Sequence, residues 1–362
     1  LTEREKEILD LIRRNPMISQ QDLADTLGIT RSSAAVHITN LVKKGFIAGK
    51  GYILKEADYV AVIGGANIDI QGFVPKPLIL KDSNPGYVRI SLGGVGRNIA
   101  ENLVKLDIQT KLFSAIGDDV YGKKLLEESR GSGIDMDYCL MLQNTSTSTY
   151  LSILDHDGDM AVAVSHMDIF DNFSVDYLKS HGPILNNAQL IVLDTNIPQP
   201  SIEFVTTQFK DRLFFLDTVS TSKAIKVKEI IGAFHTIKPN RYEAEALSGI
   251  SIDSKLDAEK ACYYFLNKGV QQVFISMGKE GICYGNHQHI RFLAAPEAAV
   301  VNATGAGDAF MAGLVFSFLQ EYSLEQSVRF AMAASTLAIS HENTIHPMMS
   351  VHSVQNIMKE LK

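Results

Sequence analysis

Apolar positions recur along the chain at two different spacings, and the change of spacing divides it into a head and a body. At the start, Ile8, Leu9 and Ile12 form one stripe at helical spacing, preceded by Thr2-Glu3-Arg4-Glu5, a T-x-x-E capping box. The pattern predicts a helix that stops at Asn15-Pro16, where the proline cannot continue it. Ser19 then caps a second short helix burying Leu23, Ala24 and Leu27, and Gly28 supplies the turn after it. Thr30 or Arg31 opens a third helix, with Ala34, Ile38 and Leu41 on one face. Gly45 ends that helix, and Phe46 to Ile53 reads as two short strands about a Gly49-Lys50-Gly51 turn.

Residues 55–58 form the junction. From Tyr59 onward short β-rich runs alternate with helical stretches, the strands being Tyr59–Ile63, Leu190–Leu193, Phe214–Leu216, Thr236–Ile237 and Val273–Ser276. Most are continuous apolar runs, as expected for a parallel sheet covered on both faces. Over 71–92 and 140–165 the pattern changes to alternating polar and apolar residues with turn signals such as Asp155-His156-Asp157-Gly158-Asp159. These pieces predict an antiparallel flap beside the main sheet. The body, 59–362, is therefore expected to be one α/β domain: a doubly wound, mostly parallel sheet with a small β lid.

Composition narrows the class. Of 362 residues, 46% are apolar and 21% charged, which fits a globular protein, and no run approaches the ~18 apolar residues of a membrane span. Cys139, Cys262 and Cys283 are far apart and odd in number, which disfavours a disulfide framework or structural zinc. With no apolar leader at the start, the cytoplasm is the expected compartment. Residues 1–55 carry nine Lys/Arg against six Asp/Glu, or +3, and with −7 for the whole chain the remainder carries −10. The two parts thus have different partners.

Three helices and a hairpin, with a tight turn between the second and third helices, make a winged helix-turn-helix arrangement over 1–55. The head resembles the DNA-binding heads of bacterial transcription regulators. In that reading Arg31, Ser32, Ser33 and His37 lie near base edges, with Lys43, Lys44 and Lys50 on phosphates. An excess of three positive charges is small for nucleic acid, so a docking or dimerisation module of the same shape stays open.

Two segments of the body carry chemistry. Asn302-Ala303-Thr304-Gly305-Ala306-Gly307-Asp308 precedes an apolar helix, so a bend of backbone N–H groups and a helix N-terminus favour an anion there, with an Asp beside it. Phosphoryl transfer to an alcohol needs both parts, donors for the developing charge and a carboxylate for the hydroxyl proton. The same residues also suit a structural helix cap, and this segment alone leaves both readings open. Gly93-Gly94-Val95-Gly96-Arg97-Asn98 is a second glycine cluster opening an amphipathic helix. Gly117 to Lys124 imitates part of a P-loop, but Lys124 stands where Ser or Thr is needed, and Asp118 and Asp119 would repel phosphates.

In order along 59–345, these motifs resemble the ribokinase-like, PfkB-type family of carbohydrate and nucleoside kinases. Gly93 to Asn98 resembles its N-terminal signature and Thr304 to Asp308 its C-terminal one. Asn240-Arg241-Tyr242-Glu243 is similar to its N-x-x-E element, and Ser276-Met277-Gly278-Lys279-Glu280-Gly281 to its nucleotide-contacting segment. The resemblance implies ATP and Mg²⁺ as cofactors and Asp308 as general base, with Gly305, Ala306 and Gly307 holding the transferring phosphoryl. It implies that Asn240 and Glu243 arrange Mg²⁺ and its waters, and that Ser276, Gly278, Gly281 and Thr304 meet the nucleotide. Asn67, Asp69, Gly93, Gly94 and Asn98 would bind a sugar or nucleoside. Asn302-Ala303 replaces the Asp-Thr or Asp-Val of many members, which puts the family's monovalent-cation site in doubt. Within the family the chain is most similar to pseudouridine kinases, through Gly65 to Asp69, Asp82 to Gly86, Thr147 to Ser152 and Lys238 to Glu245. That implies phosphorylation of a ribose 5′-hydroxyl, and dimers are common among relatives. A ligand-sensing regulator with a kinase-like body, or a kinase for another acceptor, are the competing readings.

Overall fold

The computed structural model describes residues 1–16, 18–47 and 58–360, and the chain separates into two compact units, Leu1–Asp58 and Tyr59–Lys362. In the first unit α1 (Glu3–Arg14), α2 (Gln20–Leu27) and α3 (Arg31–Lys43) enclose Ile8, Ile12, Leu23, Ile38 and Leu41. Thr2 with Glu5, and Ser19 with Asp22, form reciprocal capping boxes, and Thr30 caps α3. Gly28 ends α2 in the left-handed conformation, the tight turn between the second and third helices. Lys50 and the expected hairpin strands beyond Ile47 lie outside the described residues.

Lys44 is not free for phosphate. It donates to both oxygens of the buried Glu5 carboxylate, at 2.7 and 2.8 Å, and this hydrogen bond holds the Glu5 pKa below its usual range. The Ser32 hydroxyl lies 3.0 Å from that of Thr30, and Ser33 offers its N–H to the Thr30 cap. Arg31 and Lys43 are exposed, and His37 is half-buried.

The strands of the second unit, in chain order, are β1 (Val60–Ile63), β2 (Asn67–Phe73), β3 (Tyr87–Gly93), β4 (Thr110–Phe113) and β5 (Ala115–Gly117). Next come β6 (Leu140–Leu142), β7 (Thr149–Leu154), β8 (Met160–His166), β9 (Leu190–Asp194) and β10 (Phe214–Asp217). The last are β11 (Thr236–Ile237), β12 (Gln272–Ser276), β13 (Ile282–Gly285) and β14 (Ile290–Leu293). The main sheet has the order β14-β13-β12-β11-β10-β9-β1-β4, parallel except for β13 and β14. Successive residues serve opposite faces: Val60 and Val62 join one core with Leu112, Val192 and Phe310, while Ala61 and Ile63 join the other with Phe113, Leu193 and Phe265. This explains the unbroken apolar runs. Among the described residues no helix is long and apolar enough to cross a membrane.

The lid is a second sheet, β3-β2-β7-β8, and it corrects the expected flap in two ways. Residues 140–142 belong instead to a separate pair with β5, and β2 runs parallel to β7, so the lid is mixed. One lid face aligns Ile90, Ile70, Leu151 and Val164 across the strands, and Val88, Ile90, Val162 and Val164 on it are exposed. The P-loop look-alike is a helix start: Asp119 caps helix Val120–Gly131 and accepts from Gly122 N, Thr147 N and Thr147 Oγ1.

The glycine cluster before helix Val95–Lys105 closes onto the end of β1. A Cβ on Gly96 would sit 2.8 Å from the Gly64 backbone, and one on Gly94, at φ +96°, 2.5 Å from Ala66 Cα. The contact is backbone on backbone, so no side chain can yield. Gly96→Ala is expected to destabilise the chain by about 1–3 kcal/mol, the cost typical of overpacking. A lower urea midpoint would show it; an unchanged midpoint would mean that the helix can slide away from β1.

Candidate active site

Successive strands of the main sheet deliver charged or polar residues to one edge. β9 ends in Asp194, β10 in Asp217 and β12 in Ser276, and Lys238 directly follows β11. The carboxyl ends of parallel strands are where loops part and leave a crevice. Helix Ala306–Leu319 brings its N-terminus there, since a Cβ on Gly307 would lie 3.0 Å from Lys238 Nζ. Gly305 caps that helix at φ +82°, and a Cβ on it would meet Thr344 O at 2.5 Å. Glycine is required at this turn on both counts.

Asp308, in the first turn, is buried and accepts from Asn98 Nδ2 at 2.9 Å. Burial, then the charge of Asp217, pushes its pKa up to about 7, while Asn98 and Lys238 pull the other way. A carboxylate so tuned can take a proton near neutrality. Lys238 lies 3.1 Å from Asp217. Burial alone would favour its neutral form, but Asp217 and Glu243 more than offset that and raise its pKa. Asp194 accepts from the N–H groups of Gly65 and Asn196 at 2.7 and 2.8 Å, and burial pushes its pKa up. Beyond β10, Val219 holds φ +59°, a conformation costly for a β-branched residue. Its N–H donates to Asp217 Oδ1, which fixes that carboxylate at the strand end.

A cavity of about 630 Å³ runs from Lys238 and Gly307 past Ser276, Gly278 and Gly281. Its far walls are apolar, with Pro296, Val300, Phe310 and Met332. One charged end and an apolar body suit a nucleotide, phosphates at the helix N-terminus and base on the apolar walls. Thr304 is exposed at the turn and lies outside the walls, its N–H held by Asn302 Oδ1. Asn302 also donates to Glu342 O.

Asn240 and Glu243 are held together at a helix start. They form the capping box of helix Arg241–Ser248, Asn240 Nδ2 on Glu243 Oε1 at 2.7 Å and Asn240 N on Oε2 at 2.9 Å. Thr218 Oγ1 donates to Oε2 as well. The pair stands behind Lys238 and is not part of the cavity wall. Among the described residues the one group of three potential metal ligands within 4.8 Å is Asp155, His156 and Asp157, on the β7–β8 turn. Asp155 Oδ1 already accepts from the backbone N–H groups of Asp157 and Asp159, each at 3.0 Å.

On the acceptor side, Asn67 Nδ2 donates to Asp69 Oδ1 at 2.6 Å, and a Cβ on Gly93 would lie 2.3 Å from Asp69 Oδ2. Burial raises the Asp69 pKa to about 6, against Asn67 and Arg97. A Cβ on Gly94 would meet Ala66 Cα and Gly65 O at 2.5 Å, so the close approach there requires glycine. A second, polar cavity of about 330 Å³ lies under β2 and β3, with Gln71, Arg89, Ser91, Arg97, Asn302 and Glu342 in its lining. Sequence reading had singled out neither Asp194 nor Asp217, and had given Lys238 no role. The available signal was a charged residue closing each apolar run: Leu-Ile-Val-Leu-Asp194, Phe-Phe-Leu-Asp217 and Thr-Ile-Lys238.

Comparison with known proteins agrees with this geometry. Residues 57–350 match the family described as pfkB family carbohydrate kinase, and residues 1–48 match winged helix-turn-helix DNA-binding. The uncharacterised sugar kinase YeiI of Escherichia coli K12 is 39% identical over 359 residues, 99% of each chain, so the likeness runs through both units. The pseudouridine kinase of the same organism is also 39% identical, over 84% of this chain and 98% of its own. Among solved structures, a chain from Clostridium perfringens assigned to the sugar kinases is 40% identical with a TM-score of 0.76, over 84% of this chain and 96% of that one. Arabidopsis thaliana ribokinase, complexed with ribose and ATP, gives a TM-score of 0.72 at 24% identity, over 84% and 99%. With the motifs, the sheet order and the crevice at its carboxyl edge in agreement, the chain belongs to the pfkB family of carbohydrate kinases and carries a winged helix-turn-helix head.

Proposed function

We propose that this kinase transfers the terminal phosphoryl group of ATP to the 5′-hydroxyl of pseudouridine, with Asp308 as the base. The observation that carries the reaction is Asp308 itself: buried, near-neutral in pKa, and in the first turn of the helix whose N-terminus faces Lys238. Asp308 takes the hydroxyl proton as the bond from the acceptor oxygen to the γ-phosphorus forms and the bond from that phosphorus to the β,γ-bridging oxygen breaks, ADP leaving with the bridging oxygen. The first-turn N–H groups at Gly305 to Gly307, which lack partners within the helix, and the Lys238 ammonium offset the charge on the phosphoryl oxygens. ATP with Mg²⁺ would supply the phosphoryl group, and among the described residues no group of three potential metal ligands lies at the cleft. Glu243, whose Oε1 accepts from Asn240 Nδ2, would hold that metal through water from the helix cap. Asn67, Asp69 and Asn98 orient the ribose hydroxyls.

The acceptor rests on the 39% identity to pseudouridine kinase, and the equal identity to an uncharacterised sugar kinase favours a second reading, another ribonucleoside or sugar. A pure sensor needs no base, so the tuned carboxylate speaks against it. ADP release from ATP and Mg²⁺ should be highest with pseudouridine in a panel with uridine, cytidine, adenosine, inosine, ribose and fructose. Preference for another member removes the named acceptor and keeps the kinase. Asp308→Asn should lower kcat by about 10²–10⁴-fold with little change in the KM for ATP, the range typical of a lost general base. Turnover should rise with pH through about 7, because a base works only after losing its proton. A flat profile there would exclude Asp308 from the role.

For the head we propose DNA binding through α3, with Arg31 and Lys43 as the exposed cations. Gel shifts against the chain's own promoter region should weaken steeply with salt. The double change Arg31→Ala and Lys43→Ala should flatten that dependence by about two units of log–log slope. Binding that ignores salt, or none, leaves the head an assembly module.

The exposed apolar row on the lid is the surface a second copy of this chain would cover, in keeping with a homodimer. Val162→Asp with Val164→Asp should then shift the sedimentation coefficient to that of a monomer; an unchanged value places the contact elsewhere.

A further inference from the structure

Arg97 is a buried guanidinium between the two halves of the site, and nothing in the reaction described so far uses it. Its Nη1 donates to Asn98 Oδ1 at 3.2 Å, while Asn98 Nδ2 donates to Asp308 Oδ2 at 2.9 Å. Nη2 holds the Glu101 carboxylate one turn along the helix, and Nε lies 3.4 Å from the buried Ser129 Oγ. Glu128 and Asp69 also act on it electrostatically. Each of its three nitrogens has a partner, which holds the fork in one orientation.

The two ends of an asparagine amide have nearly the same shape, and packing alone hardly distinguishes them. Chemistry does. A guanidinium has five donors and no acceptor, so it accepts only the oxygen end of Asn98 beside it. We propose that Arg97 is a positioning residue: by holding Asn98 Oδ1 it turns Nδ2 to the Asp308 carboxylate and keeps that carboxylate available as a base. With the amide reversed, oxygen would face oxygen, and Asp308 would hold its proton more tightly. The groups facing Asp308 are Asn98, Asp217, Lys238 and Asp194, and of these Asn98 alone has an orientation that can reverse.

The inference rests on Asp308 being the base, and the test separates the two. The acid limb of kcat at saturating acceptor, which leaves out acceptor binding at Asp69, is measured for the wild type and for Arg97→Met with Glu101→Gln, which removes the guanidinium together with the carboxylate that ion-pairs with it. The limb should move up by about one pH unit, a roughly fivefold loss at pH 7 largely recovered at pH 9, with an unchanged KM for ATP. Arg97→Lys, which retains a cation for Glu101 but not the planar fork, should give the same displacement if the double variant fails to fold. A uniform loss at every pH, with the limb in place, would mean a merely structural role and overturn the proposal. Asp308→Asn is run beside them: if it keeps its turnover, the base reading falls and this inference with it. If it loses turnover while both Arg97 variants keep the wild-type limb, only the positioning role is wrong.

Discussion

The buried Lys238 ammonium is the interaction on which the rest of the site depends. An isolated ammonium at this depth would tend to shed its proton, and Asp308 with no cation beside it would hold its own more tightly. Each stays usable because the other is there. Lys238 is held by Asp217 at the end of the neighbouring strand and by the field of Glu243, and in turn it restrains the rise in the Asp308 pKa. The parallel register of β10 with β11 makes this possible, pairing Leu216 with Ile237 so that the next residues of both strands emerge together. A sheet with these strands in another order would have no reason to tolerate the charges.

The second constraint is the approach of backbone to backbone at Gly64, Gly94 and Gly96. It fixes the root of the lid, since β2 leaves β1 at this contact, and β3 returns to it. Arg97 N–H on Gly65 O, at 3.0 Å, extends the same contact by a hydrogen bond. Asn67, Asp69 and Gly93 thus sit on two strands whose bases are clamped, while the far ends of those strands and the β7–β8 turn are exposed. A lid needs that combination, a fixed root with a free rim, to close over a substrate and exclude the water that would compete for the phosphoryl group.

What the chain disclosed on inspection was local. Capping boxes at Thr2 and Ser19, the αL end at Gly28, and the apolar strands all depend on residues within a few positions, and each is where the spacing put it. The hidden parts depend on distance along the chain. Asn98 meets Asp308 across 210 residues, Lys44 meets Glu5 across 39, and no local pattern registers either meeting. Lys44 had every mark of a phosphate contact except the buried carboxylate that claims it. The N-x-x-E segment is ambiguous for a different reason: one spacing serves both a helix cap, which the structure shows, and a cluster beside a metal. The lid was legible as alternation but not as topology, since alternation does not say whether β2 pairs with β7 parallel or antiparallel.

Charge sets the order in which the site can work. Asp308 is half-protonated near neutrality, and a polyanion entering the 630 Å³ cavity would raise its pKa further unless positive charge arrives or is already in place. Lys238 stands between the cavity and Asp217, with the helix N-terminus on its other side, so the fixed positive charge lies on the approach of the polyanion. The acceptor half has an excess of the opposite sign, with Asp69, Glu101 and Glu128 around one Arg97. An uncharged polyol loses nothing by entering there, whereas a second phosphate ester would be repelled. The distribution of charge therefore favours a neutral acceptor on the lid side and an anionic donor on the sheet side, and it does so before any hydrogen bond to either is counted.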